Sequence, residues 1–195
     1  MHILKNLERY RVLLASASPR RHELLKMLGI DFDVIQTGNI DESYPGSLPA
    51  AGVASYISRK KADAYKEYLS DGQLLITADT VVVNDGKVLG KPADTAAAVA
   101  MLRSLAGRTH SVITGVTVTT VSRSETFDAL TRVTFSPVGD DVIEDYVNNY
   151  PPLDKAGAYG IQDWFGAVAV ASIDGSFYNV MGLPVNRLYH VLKTF

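Results

Sequence analysis

The side chains of this chain that can do chemistry form an uneven set of charges: Arg20 and Arg21, Lys60 and Lys61, Lys91, Asp79, and the acidic pair Asp41-Glu42. Cations of this kind hold a polyphosphate, and carboxylates beside them hold a divalent metal or activate water. Together they are the parts of metal-assisted phosphate hydrolysis. Asp79 is the strongest single candidate, because it interrupts LLITADTVVV (Leu74 to Val83), the most strand-like run in the chain. An ionised carboxylate there is expensive to bury unless it meets a cation, a metal or several donors, or lies where the strand reaches a cleft. Other chemistries drop out. There is no cysteine, no Gly-x-Ser-x-Gly elbow, no dinucleotide fingerprint, and no zinc spacing among His2, His22, His110 and His190. Gly90-Lys91-Pro92 lacks the spacer and first glycine of a Walker A loop.

The elements that must position these charges follow from local pattern. Val12 to Gly29 reads as a strand to Ala15, a sharp loop, and a helix with Ser18 as N-cap and Pro19 as its first residue. Arg20 and Arg21 then fall in the first helical turn, where free N–H groups and the macrodipole already make the site positive. Only an anion reverses that penalty, and a phosphate with Ser16, Ser18 and a guanidinium fork beside it is an ordinary site of this kind. Phe32 to Gln36 reads as a second strand, followed by a loop with Asp41 and Glu42. Ser47-Leu48-Pro49 opens a long helix with Val53, Ile57, Ala64 and Tyr68 on its apolar face. Lys60 and Lys61 flank that stripe on opposite sides, so either can reach inward and periodicity does not choose between them.

Further on, Asn84-Asp85-Gly86 predicts a hairpin turn with the return strand Lys87 to Leu89, and Asp94 predicts the cap of a helix through Leu105 closed by Gly107. Strands are expected at Ser111 to Thr120 and Leu130 to Ser136, a helix at Asp140 to Asn149, a hairpin from Ala167 to Met181, and a last helix after Pro184. The segment KAGAYGIQDWFG has Lys155 and Gln162 as its polar features. The order predicts an α/β protein whose twisted sheet is partly antiparallel.

With 195 residues, 47% hydrophobic and a formal net charge of −2, one folded domain spanning 1–195 is expected, with no broad basic surface for polymeric nucleic acid. The N-terminal residues carry charges throughout, no apolar run approaches the ~20 residues of a membrane helix, and the absence of cysteine gives no sign of an oxidising compartment. The expectation is a cytoplasmic protein without a membrane partner.

SASPRRHELLKMLG, RKKADA, ITADTVV, LGKPAD, AMLRSLAGRTHSVITGV, LDKAGAYGIQ and VMGLPV resemble, in this order, the Maf family of nucleoside triphosphate pyrophosphatases. The resemblance implies a Maf/ITPase-like mixed twisted sheet with flanking helices and two lobes around a central cleft. It implies a nucleoside triphosphate substrate cut between its α and β phosphates, with Mg or Mn as divalent metal cofactor. Carried over by motif, Asp79 looks like the family's proton acceptor, and Ser16, Arg20 and Arg21 resemble its phosphate-binding loop. Lys61, Lys91 and Glu42 resemble the other polar residues of the cleft, with Glu42 and Asp79 as the implied metal ligands. Arg20, Thr80 and Gln162 match the subgroup acting on dTTP and UTP, whereas the 7-methyl-GTP subgroup has Trp, Gln and Glu there.

After Gln162 the family usually continues with glycine, whereas this chain has Asp163-Trp164-Phe165-Gly166 and is one residue longer. That bulky pair either reshapes the base pocket or repacks the lobe. The competing class is a nucleotide-binding regulator of septum formation, against which the retention of Asp79, Lys61 and Lys91 argues. A homodimer is left open.

Overall fold

The computed structural model describes residues 4–35, 38 and 40–195. Seven strands, β1 (Arg11–Ala15), β2 (Asp33–Ile35), β3 (Gln73–Asn84), β4 (Lys87–Leu89), β5 (Thr109–Thr119), β6 (Ser124–Phe135) and β7 (Val170–Asp174), form a mixed sheet in the order β2-β1-β3-β5-β6-β7, with β4 paired to β3. β1 runs parallel to β2 and β3, while β4 and β7 are antiparallel to β3 and β6. The helices are α1 (Pro19–Met27), α2 (Ala50–Lys66), α3 (Thr95–Leu105), α4 (Asp140–Asn149), α5 (Trp164–Ala169), α6 (Phe177–Met181) and α7 (Val185–Leu192). This is the α/β class the sequence predicts.

The chain divides into two units. The first comprises Met1–Asp79, Thr114–Ala129 and Gly182–Phe195, and the second Thr80–Ile113 and Leu130–Met181. In the first unit β1 and the start of β3 pair from Arg11 with Gln73 to Ala15 with Thr77, and Leu14, Leu74, Leu75 and Ile76 are fully buried. Near-continuous apolar runs of this kind belong to parallel strands covered on both faces. α2 lies so close to β5 that a Cβ built on Gly115 would fall on the backbone of Ala54 and Ser55. Small residues therefore face the sheet, and the buried positions of α2 are Val53, Ala54, Ile57, Ser58, Lys61 and Ala62. This corrects the predicted stripe: Ala64 is exposed and Tyr68 lies beyond the helix in water. The buried arc is centred on Ala54 and Lys61, because the close approach selects small side chains over large apolar ones.

In the second unit α3, α4 and α5 cover a core that includes Leu102, Val133, Phe135, Tyr146, Tyr159 and Phe165. Asp94 caps α3 by accepting from the Ala97 N–H at 2.7 Å. Asp85 and Gly86, with φ of 48° and 75°, make the β3–β4 turn, where two successive left-handed residues suit the Asx-Gly pair.

Two predictions fail here. β6 begins at Ser124 and not at Leu130, because its polar start is held by hydroxyl pairs across to β5, Ser124 with Thr119 at 2.9 Å and Thr126 with Thr117 at 3.0 Å. The expected hairpin from Ala167 to Met181 is instead the end of α5, β7 and the short helix α6. The Ser176 Oγ accepts the Asn179 N–H at 3.3 Å, and Asn179, fully buried, donates to the Val112 carbonyl at 3.1 Å, so the polar anchor overrides the strand-like Phe-Tyr-Asn-Val-Met. Of the predicted Phe32–Gln36 strand, Asp33–Ile35 is found, and Gln36 lies outside the described residues, as does His2.

Candidate active site

Asp79 is the last residue of the first unit, placed where β3 passes from fully buried positions to partly exposed ones. What brings a cation to it is the seating of α2 on the strand. The Thr77 hydroxyl donates to the Ser58 carbonyl at 2.7 Å, and the Ser58 hydroxyl meets the Thr117 hydroxyl at 3.1 Å. From that anchor, three residues along the helix and two along the strand are comparable advances, about 4.5 Å and 6.6 Å, so Lys61 arrives at Asp79. The Lys61 ammonium lies 2.8 Å from Asp79 Oδ1 and 2.8 Å from Glu42 Oε1. Lys61 and Asp79 side chains are 9% and 13% exposed, while Glu42 is 57% exposed. The ambiguity between the two lysines resolves by division: Lys61 takes Asp79 and Glu42, and Lys60 takes Asp41 at 2.9 Å.

α1 delivers the arginines to the same stretch of β3. Ser18 is the N-cap residue by backbone geometry but makes no capping bond with its side chain; its N–H donates to Ser16 Oγ at 3.2 Å. Arg21 donates through Nη1 to the Ala78 carbonyl at 2.9 Å and through Nε to the Gly182 carbonyl at 2.8 Å, with Ser16 Oγ 3.5 Å from Nη1. Arg21 and Lys61 thus grip the neighbouring residues Ala78 and Asp79. Burial lowers the Arg21 pKa below its ordinary value and outweighs the attraction of Asp79; Arg20 lowers it further and Glu42 opposes. Arg20 is half-buried in the same first turn.

Two sets of anchoring contacts escape sequence reading. His22 donates from Nε2 to the Ser16 carbonyl at 2.7 Å and so fixes the loop before α1. Asp41 accepts the Ser43 hydroxyl at 2.6 Å and the Ser43 N–H at 2.9 Å, and Lys60 donates as well to the Ser43 carbonyl at 3.0 Å. The Ser43 hydroxyl first, then Lys60, holds the Asp41 carboxyl well below the usual carboxylate range. The only signal for this in the sequence is that both Asp41-Glu42 and Lys60-Lys61 are adjacent pairs.

The matching family is Maf-like protein, over residues 11–195. The chain belongs to that family. It is 52% identical over 191 residues to the dTTP/UTP pyrophosphatase of Bacteroides thetaiotaomicron, covering 98% of this chain and 99% of that one. It is 50% identical over 193 residues to the dTTP/UTP pyrophosphatase of Parabacteroides distasonis, covering 99% and 100%. Among solved structures it is similar in fold to a HAM1 protein from Coxiella burnetii, with a TM-score of 0.50, 16% identity, and coverage of 95% of this chain and 100% of that one.

The remaining candidates belong to the second unit. Thr80 is half-buried on β3, Lys91 is exposed after β4, and Gln162 is exposed in the loop before α5. That loop is tightly made. A Cβ on Gly160 would meet the Asp163 carboxylate and, at 3.1 Å, the Gln162 amide nitrogen. Lys155 lies 2.8 Å from Asp154 and 3.6 Å from Asp163. In the stretch after Gln162, Phe165 is fully buried, packed against Phe135 and Tyr146, and Trp164, 43% exposed, stacks on Tyr146 at 6.2 Å. Among the described residues no group of three or more histidine, aspartate or glutamate side chains is placed to hold a metal.

Proposed function

We propose that this chain hydrolyses nucleoside triphosphates, dTTP and UTP before others, to the nucleoside monophosphate and pyrophosphate. The observation that carries the reading is the shielded Lys61–Asp79 pair, with Glu42 on the same ammonium and the arginine-bearing turn of α1 held to the adjacent residue Ala78. A carboxylate in a sheltered place, next to donors suited to phosphate, is suited to water attack on a phosphoanhydride. The names of relatives at about half identity over the full length support the substrate class.

In this reading Ser16, Arg20, Arg21 and the first-turn N–H groups of α1 receive phosphate oxygens, with Arg21 oriented in advance by two carbonyls. Asp79 takes the proton of the attacking water as its oxygen bonds to the α phosphorus. The bond from that phosphorus to the bridging oxygen breaks, and pyrophosphate leaves with the electron pair. Lys61 compensates the charge of Asp79 before substrate arrives and opposes polyphosphate charge afterwards. Lys91 is assigned a further positive charge for the polyphosphate, and Thr80 and Gln162 the reading of the base, through the family resemblance.

Two carboxylates converging on one ammonium are hard oxygen donors, and Mg is commonly held by one or two carboxylates completed by substrate phosphates, so the residues fit such an ion. Glu42 and Asp79 would hold it. When bound, a divalent cation neutralises charge on the phosphoryl oxygens and lowers the pKa of its water. The chain is assigned to the cytoplasm and to free nucleotides; among the described residues no helix is long and apolar enough to cross a membrane.

The test is a panel of canonical and modified nucleoside triphosphates with Mg or Mn, scored for pyrophosphate release. Release from dTTP and UTP ahead of purine triphosphates is expected. Orthophosphate release, or none from any member, would overturn the reading.

A further inference from the structure

The contact that sets the position of Glu42 lies outside the Lys61–Asp79 pair. Glu42 is half in water, in a loop, and its carboxylate nevertheless meets the Lys61 ammonium at 2.8 Å. An exposed side chain on a loop holds such a distance only if its backbone is fixed, since ordering a long side chain and its backbone together opposes the pair. The residues on either side supply the fixing. Asp41 accepts from both the N–H and the hydroxyl of Ser43, closing the backbone around Glu42. Lys60 then joins both ends of that closure, donating to the Asp41 carboxylate at 2.9 Å and to the Ser43 carbonyl at 3.0 Å. The Tyr65 hydroxyl accepts the Gly38 N–H at 2.9 Å, a second tie of the same loop to α2. Because Lys60 and Lys61 are consecutive on one rigid helix, the tie and the target of Glu42 move as one piece.

We propose that Asp41, Ser43 and Lys60 are positioning residues that hold Glu42 on Lys61 and act on the reaction through Glu42 alone. Their bonds run to one another. The role of Glu42 rests on the reading under Proposed function; the strap itself does not.

The test is a double-mutant cycle in the full chain with Asp41→Asn, Lys60→Met, Glu42→Gln and Asp41→Asn/Glu42→Gln. The readouts are kcat and KM for dTTP, affinity for the non-hydrolysable α,β-imido analogue of dTTP, and amide exchange over residues 40–45. Asp41→Asn and Lys60→Met are each expected to lower kcat/KM roughly 5–20-fold, within the range of coupled neighbours. In the Glu42→Gln background, Asp41→Asn is expected to change kcat/KM and analogue affinity by less than roughly 2-fold. Lys60→Arg, which keeps the donor, retains most activity. Exchange over 40–45 rises in Asp41→Asn whether or not Glu42 is present. Additive losses in the double variant, full activity in Asp41→Asn, or no effect of Glu42→Gln would overturn the proposal. A wild-type chain inactive on every triphosphate would refute the functional reading, and the exchange result would still judge the strap.

Discussion

Removing the ammonium at position 61 should cost more stability than removing both partners of the pair. In Lys61→Met, Glu42 can turn to water, but Asp79 is 13% exposed and keeps its charge without the ammonium, a loss that the attraction of Arg21 offsets only in part. At 2.8 Å and an effective dielectric of ~20 the gross attraction is about 6 kcal/mol, most of it offset by desolvation in the intact pair. Breaking such a pair from one side costs about 3–5 kcal/mol, and the partial exposure of this one argues for about 2–4. For a chain of this length that is a fall in Tm of roughly 5–15 °C. Asp79→Asn keeps the shape and removes the stranded charge, so Lys61→Met/Asp79→Asn should regain about half of the loss. Turnover moves differently: Asp79→Asn alone should lower kcat by about 10²–10⁴-fold, since the amide accepts no proton from water. Differential scanning calorimetry of the four proteins, with dTTP hydrolysis alongside, reads both. Should Lys61→Met melt with the wild type, or the double variant melt no higher than Lys61→Met, Asp79 is not a sheltered charge and the reasoning fails.

Arg21→Lys is expected to lose both turnover and about 1–3 kcal/mol of stability, because one ammonium cannot serve the Ala78 and Gly182 carbonyls together, and Arg20→Ala should lose triphosphate affinity. Equal melting of the Arg21 variant and wild type would remove the bracing role. Gln162→Glu should erode the preference for dTTP and UTP over ATP and GTP by roughly 5–150-fold, judged by competing substrates; an unchanged ratio would take base reading away from Gln162. His110, 2% exposed beside Tyr159, is pushed down by burial to about 4 from 6.5. The unfolded chain therefore binds the extra proton between these values, and stability falls as pH drops from about 6.5 to 4, by at most about 3 kcal/mol. Denaturant titrations of His110→Gln should show a flatter dependence in that window; an equal slope would refute it.

The elements that could be read from sequence are those whose signals are local. α4 stands at Asp140–Asn149 as the pattern predicts, and the Asn84-Asp85-Gly86 turn needs only its own residues. The phase of α2 could not be read that way, since it depends on how near β5 lies, and that is set by a glycine some sixty positions away in the chain. The same is true of α6, whose anchor Asn179 finds Val112 only after folding. At the site, Asp79 was visible as a charge in an apolar strand. Lys60 and Lys61 were distinguishable only by family likeness, because each has a carboxylate and what separates them is depth. The ties from Arg21 to Ala78 and Gly182 use carbonyls, which every residue carries, so no side-chain pattern announces them.

The contact of α2 with Gly115 means that the spacing of the site is set by a hydrogen atom where other residues carry a methyl. Alanine there would act as a shim, lifting the helix at Ala54 and tilting it about whatever contacts survive. Ser58 and Lys61, one and two turns further on, would swing with it as the tip of a lever. A conservative change at Gly115, two helical turns from Lys61, would thus read, in kinetics, like damage to Lys61 itself, and would be mistaken for it by any survey that looked only at residues near the phosphate.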